Sequence, residues 1–321
     1  MLYPLRFKPL FRRYLWGGRR LQGVLGKSIG AGKDYAESWE TVDHGEYQSV
    51  VAHGSLKGVT LHELVTRFAE PLLGCHSPQS QFPLLFKFLD AQRNLSVQVH
   101  PNDQQAANLD PPGLGKTEAW VVLDARPGSR VYAGLSHGMD RNKVEYRIKQ
   151  GDVTSCLHYF EPNVGDCVFL PAGTVHAIGA GLMVAEIQQT SDTTYRLYDW
   201  ERLGANGKPR QVHVEQALDV ICYDAGPVNP QPPTKSDRPH IARLVACDKF
   251  VIDRWEFDQI QRLKNDSRCH LLAVLSGSVR VENDPVESPL SKGDTMLVPA
   301  KLGAVSIQPL EQSVLLDVYL P

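Results

Sequence analysis

The stretch GDCVFLPAGTVH, residues 165–176, contains two turns, a short strand and a histidine. Gly165 with Asp166, and the PAG sequence at 171–173, have turn chemistry, because glycine permits positive φ, proline fixes φ and aspartate hydrogen-bonds nearby backbone. The apolar residues between them predict a brief buried strand. His176 follows the second turn, where a strand directs its side chain to one face. A histidine held this rigidly is a good metal ligand, because it loses little conformational freedom on binding.

Upstream, residues 94–100 (NLSVQVH) alternate strictly between polar and apolar and predict a half-buried strand. The apolar residues share one face, and the other face carries Ser96, Gln98 and His100. Buried polar groups are costly unless they find partners, so this polar face is expected to meet others like it.

A carboxylate completes the pattern. Glu118 lies at the start of an apolar run that predicts a second buried strand. Together Gln98, His100, Glu118 and His176 offer two imidazoles, a carboxylate and an amide oxygen. This set suits zinc with one position open for water or substrate. Ligand softness alone leaves iron, manganese and nickel open.

An internal repeat favours a β-barrel fold with two copies of one unit. Residues 293–300 (GDTMLVPA) repeat the Gly-Asp, four-residue, Pro-Ala pattern of residues 165–172. Residues 270–276 similarly repeat the pattern of residues 118–124. Counting on from the second Pro-Ala places Ala304 where the first copy has His176. The first copy therefore has metal chemistry and the second lacks it.

These residues resemble the cupin superfamily, and more specifically type I phosphomannose isomerases of the short bacterial form. The resembling segments are YLWGG at 14–18, ESWE at 37–40, FPLLFKFLD at 82–90, LSVQVHPND at 95–103, GKTE at 115–118, residues 165–176, and AEIQQTSDTTYRLYDW at 185–200. The resemblance implies a mainly β fold with two cupin-type jelly-roll barrels and a few helices in or flanking the first. It also implies interconversion of mannose 6-phosphate and fructose 6-phosphate with one zinc, whose ligands match Gln98, His100, Glu118 and His176.

An aldose–ketose isomerase moves a proton between adjacent carbons through an enediol, so it needs a base close to the carbon acid. Glu186 is the first candidate, because an extended strand over residues 186–196 would place the even-numbered residues on one polar face. Lys116 is the rival, and the resemblance gives it catalytic importance. The resemblance also places Asp192 and Arg196 in the site. The alternative role of Glu186 and Asp192 is a salt bridge to Arg196 at the rim of the site.

The phosphate group also needs to be held, and the sequence contains no glycine-rich phosphate loop. Arg196 offers a fork geometry that matches phosphate oxygens. Lys87 interrupts an apolar run and should point to the polar side. The resemblance places both near the substrate, together with Ser96. It places Arg210 in a segment that enters the site, although Arg210 could equally be a solvated loop charge.

Composition limits the other possibilities. The 321 residues, 42% of them hydrophobic, can bury a large core and favour two domains. A net charge of −2 gives no reason to expect nucleic acid or membrane partners. The six cysteines show no paired spacing, so buried thiols in a reducing cytoplasm are expected. No signal peptide or membrane-spanning run is visible. The expected partner is a sugar phosphate, bound by a monomer or weak homo-oligomer.

Helical patterns and a proline-rich stretch divide the chain into segments. Apolar residues at helical spacing predict helices over 60–68, 140–150 and 214–221. The proline-rich stretch that begins at 224 is expected to form no regular structure and to connect the domains. We therefore predict a catalytic metal-binding cupin domain over 1–223, a linker over 224–237, and a cupin-like domain without metal ligands over 238–321.

Two alternatives stay open at this point. A cupin-type iron oxygenase would use two histidines and a carboxylate as a facial triad. Gln98 argues mildly against it, because an amide ligand fills a position that oxygen would take. The second is a non-catalytic protein that binds sugar phosphates on the same fold. Fold alone does not decide between these functions.

Overall fold

In the computed structural model, which describes residues 1–204 and 207–321, β-strands dominate. The strands of the first half are β1 (Phe7–Lys8), β2 (Leu10–Gly18), β3 (Tyr35–Thr41), β4 (Asp43–His44), β5 (Tyr47–Gln48), β6 (Val50–Val51), β7 (Leu84–Asp90), β8 (Val97–Val99), β9 (Glu118–Ala125), β10 (Val131–Leu135), β11 (Leu157–Phe160), β12 (Cys167–Leu170), β13 (His176–Ile178), β14 (Leu182–Gln189) and β15 (Tyr195–Tyr198). The strands of the second half are β16 (Thr234–Lys235), β17 (Ile241–Ala246), β18 (Val251–Phe257), β19 (Gln261–Arg262), β20 (His270–Ser276), β21 (Ser278–Val281), β22 (Leu290–Ser291), β23 (Thr295–Val298), β24 (Ser306–Pro309) and β25 (Ser313–Tyr319). The helices are α1 (Arg20–Gly23), α2 (Leu61–Arg67), α3 (Ala69–Leu73), α4 (Asp103–Ala107), α5 (Arg141–Lys149) and α6 (Val214–Val220), with 3₁₀ turns at Val153–Cys156 and Ala300–Leu302.

The first half folds into a two-sheet unit, here called the first sandwich. Its six-stranded sheet has the order β12-β9-β14-β7-β3-β2, and its five-stranded sheet has the order β11-β10-β13-β8-β15. Trp120 and Val168 of the larger sheet pack with Val131 and Ile178 of the smaller one in one buried cluster. Alternating side chains of the strands thus fill the space between the sheets.

The second half repeats this plan as the second sandwich. Its six-stranded sheet has the order β16-β17-β18-β25-β20-β23, and its four-stranded sheet has the order β19-β24-β21-β22. Trp255 and Leu272 of the larger sheet pack with Val279 and Ile307 of the smaller sheet. The predicted mainly β fold is confirmed.

The two sandwiches share an apolar core. Phe88 and Ile187 of the first sandwich belong to the same buried cluster as Leu271 and Leu316 of the second, so the two large sheets pack together. The chain before β1 also reaches across. Leu5 exchanges two backbone hydrogen bonds with Leu297 of β23, at 2.8 and 2.9 Å. This contact covers the edge of the second large sheet.

All three expected helices form. Thr60 and Glu63 form a capping box at the start of α2, in which each side chain accepts the other residue's backbone N–H. Asp140 likewise accepts the N–H of Lys143 at the start of α5, and α6 covers most of the third predicted helix. The strand predicted over 94–100 is shorter, since β8 spans only its last part.

The prediction of a continuous strand over 186–196 is wrong. β14 ends at Gln189, and β15 begins at Tyr195 in the opposite sheet. In the connection, the Thr190 hydroxyl donates to the carbonyl of Phe82 and the Ser191 hydroxyl donates to that of Leu114. Such side-chain bonds to backbone compete with a regular ladder, which the alternation of polar residues did not reveal.

The proline-rich stretch lies against the first sandwich. The N–H of Val228 donates to the carbonyl of Ala133 at 3.0 Å, and that of Gln231 donates to Cys167 at 2.7 Å. Its last residues form β16, which joins the second large sheet. The division into domains over 1–223 and 238–321, with a linker between them, remains a proposal.

The six cysteines are all unpaired thiols. Cys156, Cys167 and Cys269 are buried, whereas Cys75 and Cys222 are exposed. Burial raises the pKa of the Cys167 and Cys269 thiols to about 12, so both are inert at neutral pH. Within the described part of the chain, no helix has the length and apolar character that crossing a membrane requires.

Candidate active site

Three of the four predicted metal ligands meet inside the first sandwich. His176 begins β13, Glu118 begins β9, and His100 follows β8 directly. Nε2 of His176 lies 3.3 Å from Oε1 of Glu118, and Nε2 of His100 lies 3.6 Å from Oε2. All three residues are buried, and their ligand atoms lie within 4.8 Å of one another. Two imidazoles and a carboxylate thus converge on one point.

Hydrogen bonds fix both imidazoles with Nε2 toward that point. Nδ1–H of His100 donates to the carbonyl of Thr193, and Nδ1–H of His176 donates to that of Thr174, both at 2.9 Å. A carbonyl only accepts, so these bonds place the proton on Nδ1 and leave the Nε2 lone pair available. Burial lowers the pKa of both imidazoles, and the ammonium of Lys116 adds to the effect. Neutral imidazoles are what metal binding requires.

Gln98 lies beside this cluster. It is the register partner of His176 between β8 and β13, and its Nε2 lies 3.4 Å from Nε2 of His176. Its Oε1 accepts the hydroxyl of Ser96 at 3.4 Å. A half-turn of the amide exchanges its oxygen and nitrogen, which brings a donor oxygen toward the cluster.

The cluster suits a cation. Oε1 of Glu118 is buried and has no hydrogen-bond partner, a costly state that a metal ion would relieve. Oε2 of Glu118 and Nε2 of His100 both accept hydrogen bonds from the Lys116 ammonium, the second at 3.1 Å. These donor atoms therefore already face positive charge. Nitrogen and carboxylate donors around an open position fit a divalent transition metal such as zinc.

A cavity of about 360 Å³ opens above the cluster. Eight of the eleven predicted site residues line it, and the other three are the buried His100, Glu118 and His176 below. The eight are Lys87, Ser96, Gln98, Lys116, Glu186, Asp192, Arg196 and Arg210. Although the strand predicted over 186–196 is interrupted, its polar residues still reach one cavity.

An ion pair forms one wall. Nζ of Lys87 on β7 lies 3.2 Å from Oε1 of Glu186 on β14, its register partner, and donates to Oε1 of Gln188 at 2.9 Å. The indole N–H of Trp120 donates to Oε2 of Glu186 at 3.1 Å. Burial disfavours the carboxylate, but Lys87 and Lys116 outweigh burial and lower the pKa of Glu186. Glu186 is therefore ionised at neutral pH.

Asp192 has a different partner from Arg196, which the sequence analysis considered. Its Oδ1 lies 3.3 Å from Nε2 of His44 rather than at a rim bridge to Arg196, and its side chain is 71% exposed. The hydrogen bond to Asp192 raises the pKa of His44 despite partial burial. His44 thus holds this carboxylate at the cavity rim.

Arg196 retains unused donor capacity. Its Nη1 donates to the carbonyl of Gln211 at 2.9 Å, while its Nε is buried without a partner. Burial and the nearby Arg210 lower the pKa of Arg196. Nε of Arg210 lies 3.6 Å from Oδ2 of Asp199. A half-buried cation with a free donor beside a second cation suits an anionic group.

Sequence reasoning missed several residues that line the cavity. The Lys87 ammonium lies 5.0 Å from the ring centre of Trp39, and the Arg12 guanidinium lies 4.4 Å from that of Tyr47. The indole N–H of Trp39 donates to Glu37 at 2.5 Å. The alternation of Glu37 and Trp39 along β3 was a signal in the sequence, whereas His44 and Tyr47 lie on short strands that show no pattern.

The second sandwich supports this site from behind. Nζ of Lys249 lies 2.7 Å from Oδ2 of Asp103. Oδ1 of Asp103 accepts the backbone N–H of Gly115 and the amide of Gln189, both at 2.9 Å. Oε1 of Gln189 accepts the N–H of Thr117, also at 2.9 Å. This chain of contacts holds the segment that carries Lys116 into the cavity.

Comparisons with known proteins agree with this fold. Residues 4–116 match the family described as phosphomannose isomerase type I, catalytic domain, and residues 240–313 match the mannose-6-phosphate isomerase cupin domain. The mannose-6-phosphate isomerase ManA of Bacillus subtilis is 35% identical over 95% of this chain and 96% of its own length. That of Streptococcus mutans is 36% identical over 93% of each chain.

Solved structures show the same fold. The mannose 6-phosphate isomerase from Bacillus subtilis superposes with a TM-score of 0.90 at 29% identity, covering 99% of this chain and all of the other. A putative mannosephosphate isomerase from Archaeoglobus fulgidus, at 22% identity, has a TM-score of 0.79 and covers 100% of this chain and 99% of its own.

The fold and the buried donor cluster place the chain among the cupin proteins with a candidate metal site. Within that class, the chain belongs to the type I phosphomannose isomerase family. The family resemblance seen in the sequence is confirmed.

Proposed function

We propose that this chain interconverts mannose 6-phosphate and fructose 6-phosphate through an enediol, at one zinc ion held by Gln98, His100, Glu118 and His176. The observation that carries the proposal is the buried donor cluster at the base of a cavity rich in basic groups, in a member of this family. The orphaned carboxylate oxygen of Glu118 supports the choice of a cation.

Zinc would supply an electrophile for the oxyanion that develops on the sugar, or orient its hydroxyl groups, without redox chemistry. The chain contributes the fixed geometry around it. Thr193 and Thr174 orient the two imidazoles through their carbonyls, and the Glu118 side chain is fully buried. Burial excludes water and strengthens the interaction of each donor with positive charge.

Glu186 is proposed as the group that moves the proton. Its carboxylate is ionised and lines the cavity, and the contacts with Lys87 and Trp120 fix its position. A base must be unprotonated before it can take a proton from carbon. Lys116 is the alternative, because its ammonium reaches the donor cluster and could supply a proton to a sugar oxygen.

Phosphate binding is assigned to Arg196 and Arg210, with Lys87 and Ser96 on the sugar side of the cavity. Arg196 has an unused buried donor, and its planar fork matches two phosphate oxygens. Asp192, held by His44 at the rim, is placed to accept hydrogen bonds from sugar hydroxyls. A cytoplasmic location stays a prediction from the cysteine pattern.

One observation favours a second candidate. Two histidines and one carboxylate also form the donor set of iron oxygenases. This candidate predicts oxygen consumption by the iron-loaded protein, whereas the isomerase needs no oxygen.

The test combines metal analysis with a coupled assay. The purified protein should contain about one zinc per chain and convert fructose 6-phosphate to mannose 6-phosphate. Dialysis against a chelator should remove the metal and the activity together, and added zinc should restore both. Arg196→Ala should lose turnover while its circular dichroism and melting temperature stay close to those of the parent. Oxygen uptake without isomerisation, or isomerisation by the metal-free protein, would refute the proposal.

A further inference from the structure

The second sandwich contains a cavity of about 90 Å³ that no step of the isomerisation uses. Its polar wall is formed by residues of the large sheet, namely Arg243, Asp253, Trp255, His270, Asp317 and Tyr319.

Strand register relates this cavity to the active site. The two large sheets have matching strand orders, so β3, β7, β14 and β9 correspond to β17, β18, β25 and β20. In the first sandwich, Trp39 pairs with Lys87, which pairs with Glu186. In the second, Arg243 pairs with Asp253, which pairs with Asp317. Each of these six residues lines the cavity of its own sandwich, so the two cavities occupy equivalent places.

Trp255 presents an unpaired hydrogen-bond donor to this cavity. The residue is 2% exposed and lines the cavity, and its indole N–H has no hydrogen-bond acceptor. A buried donor without a partner costs about 1–3 kcal/mol. An acceptor atom within the cavity would remove that cost.

The same wall offers acceptors and balanced charge. Asp253 binds the Arg243 guanidinium and accepts the Tyr319 hydroxyl at 2.9 Å. The His270 imidazole lies between Asp317, at 2.7 Å, and Asp266, at 3.2 Å. The cavity lining as a whole carries four carboxylates against four basic side chains, namely Arg238, Arg243, Lys264 and His270, so it has no surplus charge for an anion. A hydroxyl group suits it, because a hydroxyl accepts from the indole and donates to a carboxylate.

We propose that the cavity of the second sandwich is a binding site for a small neutral polyol. Its volume of about 90 Å³ limits the ligand to a small molecule. The part of the ligand that the cavity recognises is a set of neighbouring hydroxyl groups. They come from a free polyol or from one edge of a larger sugar.

The indole N–H resonance of Trp255 provides the test. The chain has five tryptophans, so ¹⁵N-labelled full-length protein should show five indole signals, and Trp255→Phe identifies one of them. Glycerol should move that signal saturably and leave the other four in place. D-mannose as a second probe separates the sources, because tighter saturation by mannose assigns the hydroxyl edge of a sugar, and tighter saturation by glycerol assigns a free polyol.

Two controls keep the proposal open to refutation. 1,3-Propanediol, which lacks the central hydroxyl of glycerol, should saturate at least about tenfold more weakly, as expected for one lost hydrogen bond to a charged group. Asp253→Asn should also weaken glycerol binding and leave isomerase activity unchanged, because Asp253 lies outside the active site. Equal response to glycerol and propanediol would overturn the proposal. So would a Trp255 signal that moves only in proportion to additive concentration, as the other four do.

Discussion

The two sandwiches share a strand order but differ in what their equivalent positions carry. In the first, the cavity wall has a Lys87–Glu186 pair above three buried metal donors. In the second, the corresponding wall has Asp253 and Asp317, each bound to a cation of its own sandwich. One framework therefore supports a reactive site in one copy and a network of mutual ion pairs in the other. Chemistry here depends on side chains rather than on fold.

Glu118 and His270 make the difference concrete. Each begins the strand second from one edge of its large sheet and pairs with the last residue of the edge strand, Leu170 or Val298. Glu118 keeps one oxygen without a hydrogen bond, whereas both ring nitrogens of His270 contact carboxylates. Carboxylates only accept hydrogen bonds, so both ring nitrogens of His270 carry protons and neither offers a lone pair to a cation. Where the first sandwich has the carboxylate of Glu118, the second thus has a cation held by Asp317 and Asp266.

The largest expected effect separates these two histidines. His176→Ala should lower kcat by on the order of 10³-fold and abolish zinc binding, because it removes a ligand from the proposed centre. His270→Ala should keep the metal content and kcat while its melting temperature falls. Metal analysis and the coupled assay on both variants check this. Loss of zinc from His270→Ala would show that the contrast between the sandwiches is mistaken.

The buried ion pairs should differ in their contribution to stability. Lys87→Met should lower the free energy of unfolding by about 3–5 kcal/mol, because it leaves Glu186 buried without its main partner. Arg243→Met should cost less, since its side chain is 36% exposed and Tyr319 still donates to Asp253. Urea denaturation of both variants measures the difference. Equal losses would contradict the argument from burial.

The contact between the sandwiches should tune the metal site. Lys249→Met frees Asp103 from its partner, which loosens the segment before Glu118. We expect zinc affinity to fall by about 10- to 100-fold, as for other residues that orient metal ligands, with KM little changed. Competition with a chromophoric chelator measures this affinity. Lys264→Met is the matched control, because Lys264 pairs with the exposed Asp237 rather than with Asp103. If both variants bind zinc as the parent does, the chain of contacts has no role.

Stability of the second sandwich should depend on pH. Asp317 and Asp266 outweigh burial and raise the pKa of His270 to about 10. The protonated imidazole therefore stabilises the fold fully below its usual pKa of 6.5, and the contribution disappears as pH rises toward 10. The melting temperature should fall over this window, and fall less in His270→Gln, which carries the same remaining groups, including Arg243, Asp253 and Tyr319. Identical pH profiles for the two proteins would contradict the assignment.

The smallest expected effect on stability concerns α2, a helix of the first half of the chain. Thr60→Ala removes the capping box of α2 and should cost about 1 kcal/mol of stability, with activity unchanged. Thr66→Ala, on the same helix, loses only the hydroxyl bond to the carbonyl of His62 and should cost less. Thermal unfolding distinguishes the two. A larger loss in Thr66→Ala would contradict the capping role.

Much of the site could be predicted because its residues lie on regular elements. The turns around residues 167–170 fix β12 and the start of β13, and strict alternation placed Gln98 and His100 on one face. Local rules fixed these positions, so the donor cluster followed from the sequence.

The remaining errors have tertiary causes. The break after Gln189 depends on hydroxyl bonds to Phe82 and Leu114, which lie far away in sequence. Counting from the Pro-Ala repeat placed Ala304 opposite His176, but the 3₁₀ turn delays β24 until Ser306. The contact of His44 with Asp192 likewise joins a short strand to a distant loop. None of these contacts leaves a local pattern.

The backbone pairing of Leu5 with Leu297 has a consequence for biosynthesis. The ribosome makes Leu5 long before Leu297, because nearly three hundred residues separate the two along the chain. Long sequence separation delays such a contact, because loop-closure entropy is lost before the contact forms. The segment that contains Leu5 therefore stays unpaired while the first sandwich assembles. Synthesis of β23 is then the event that allows this edge of the second large sheet to close.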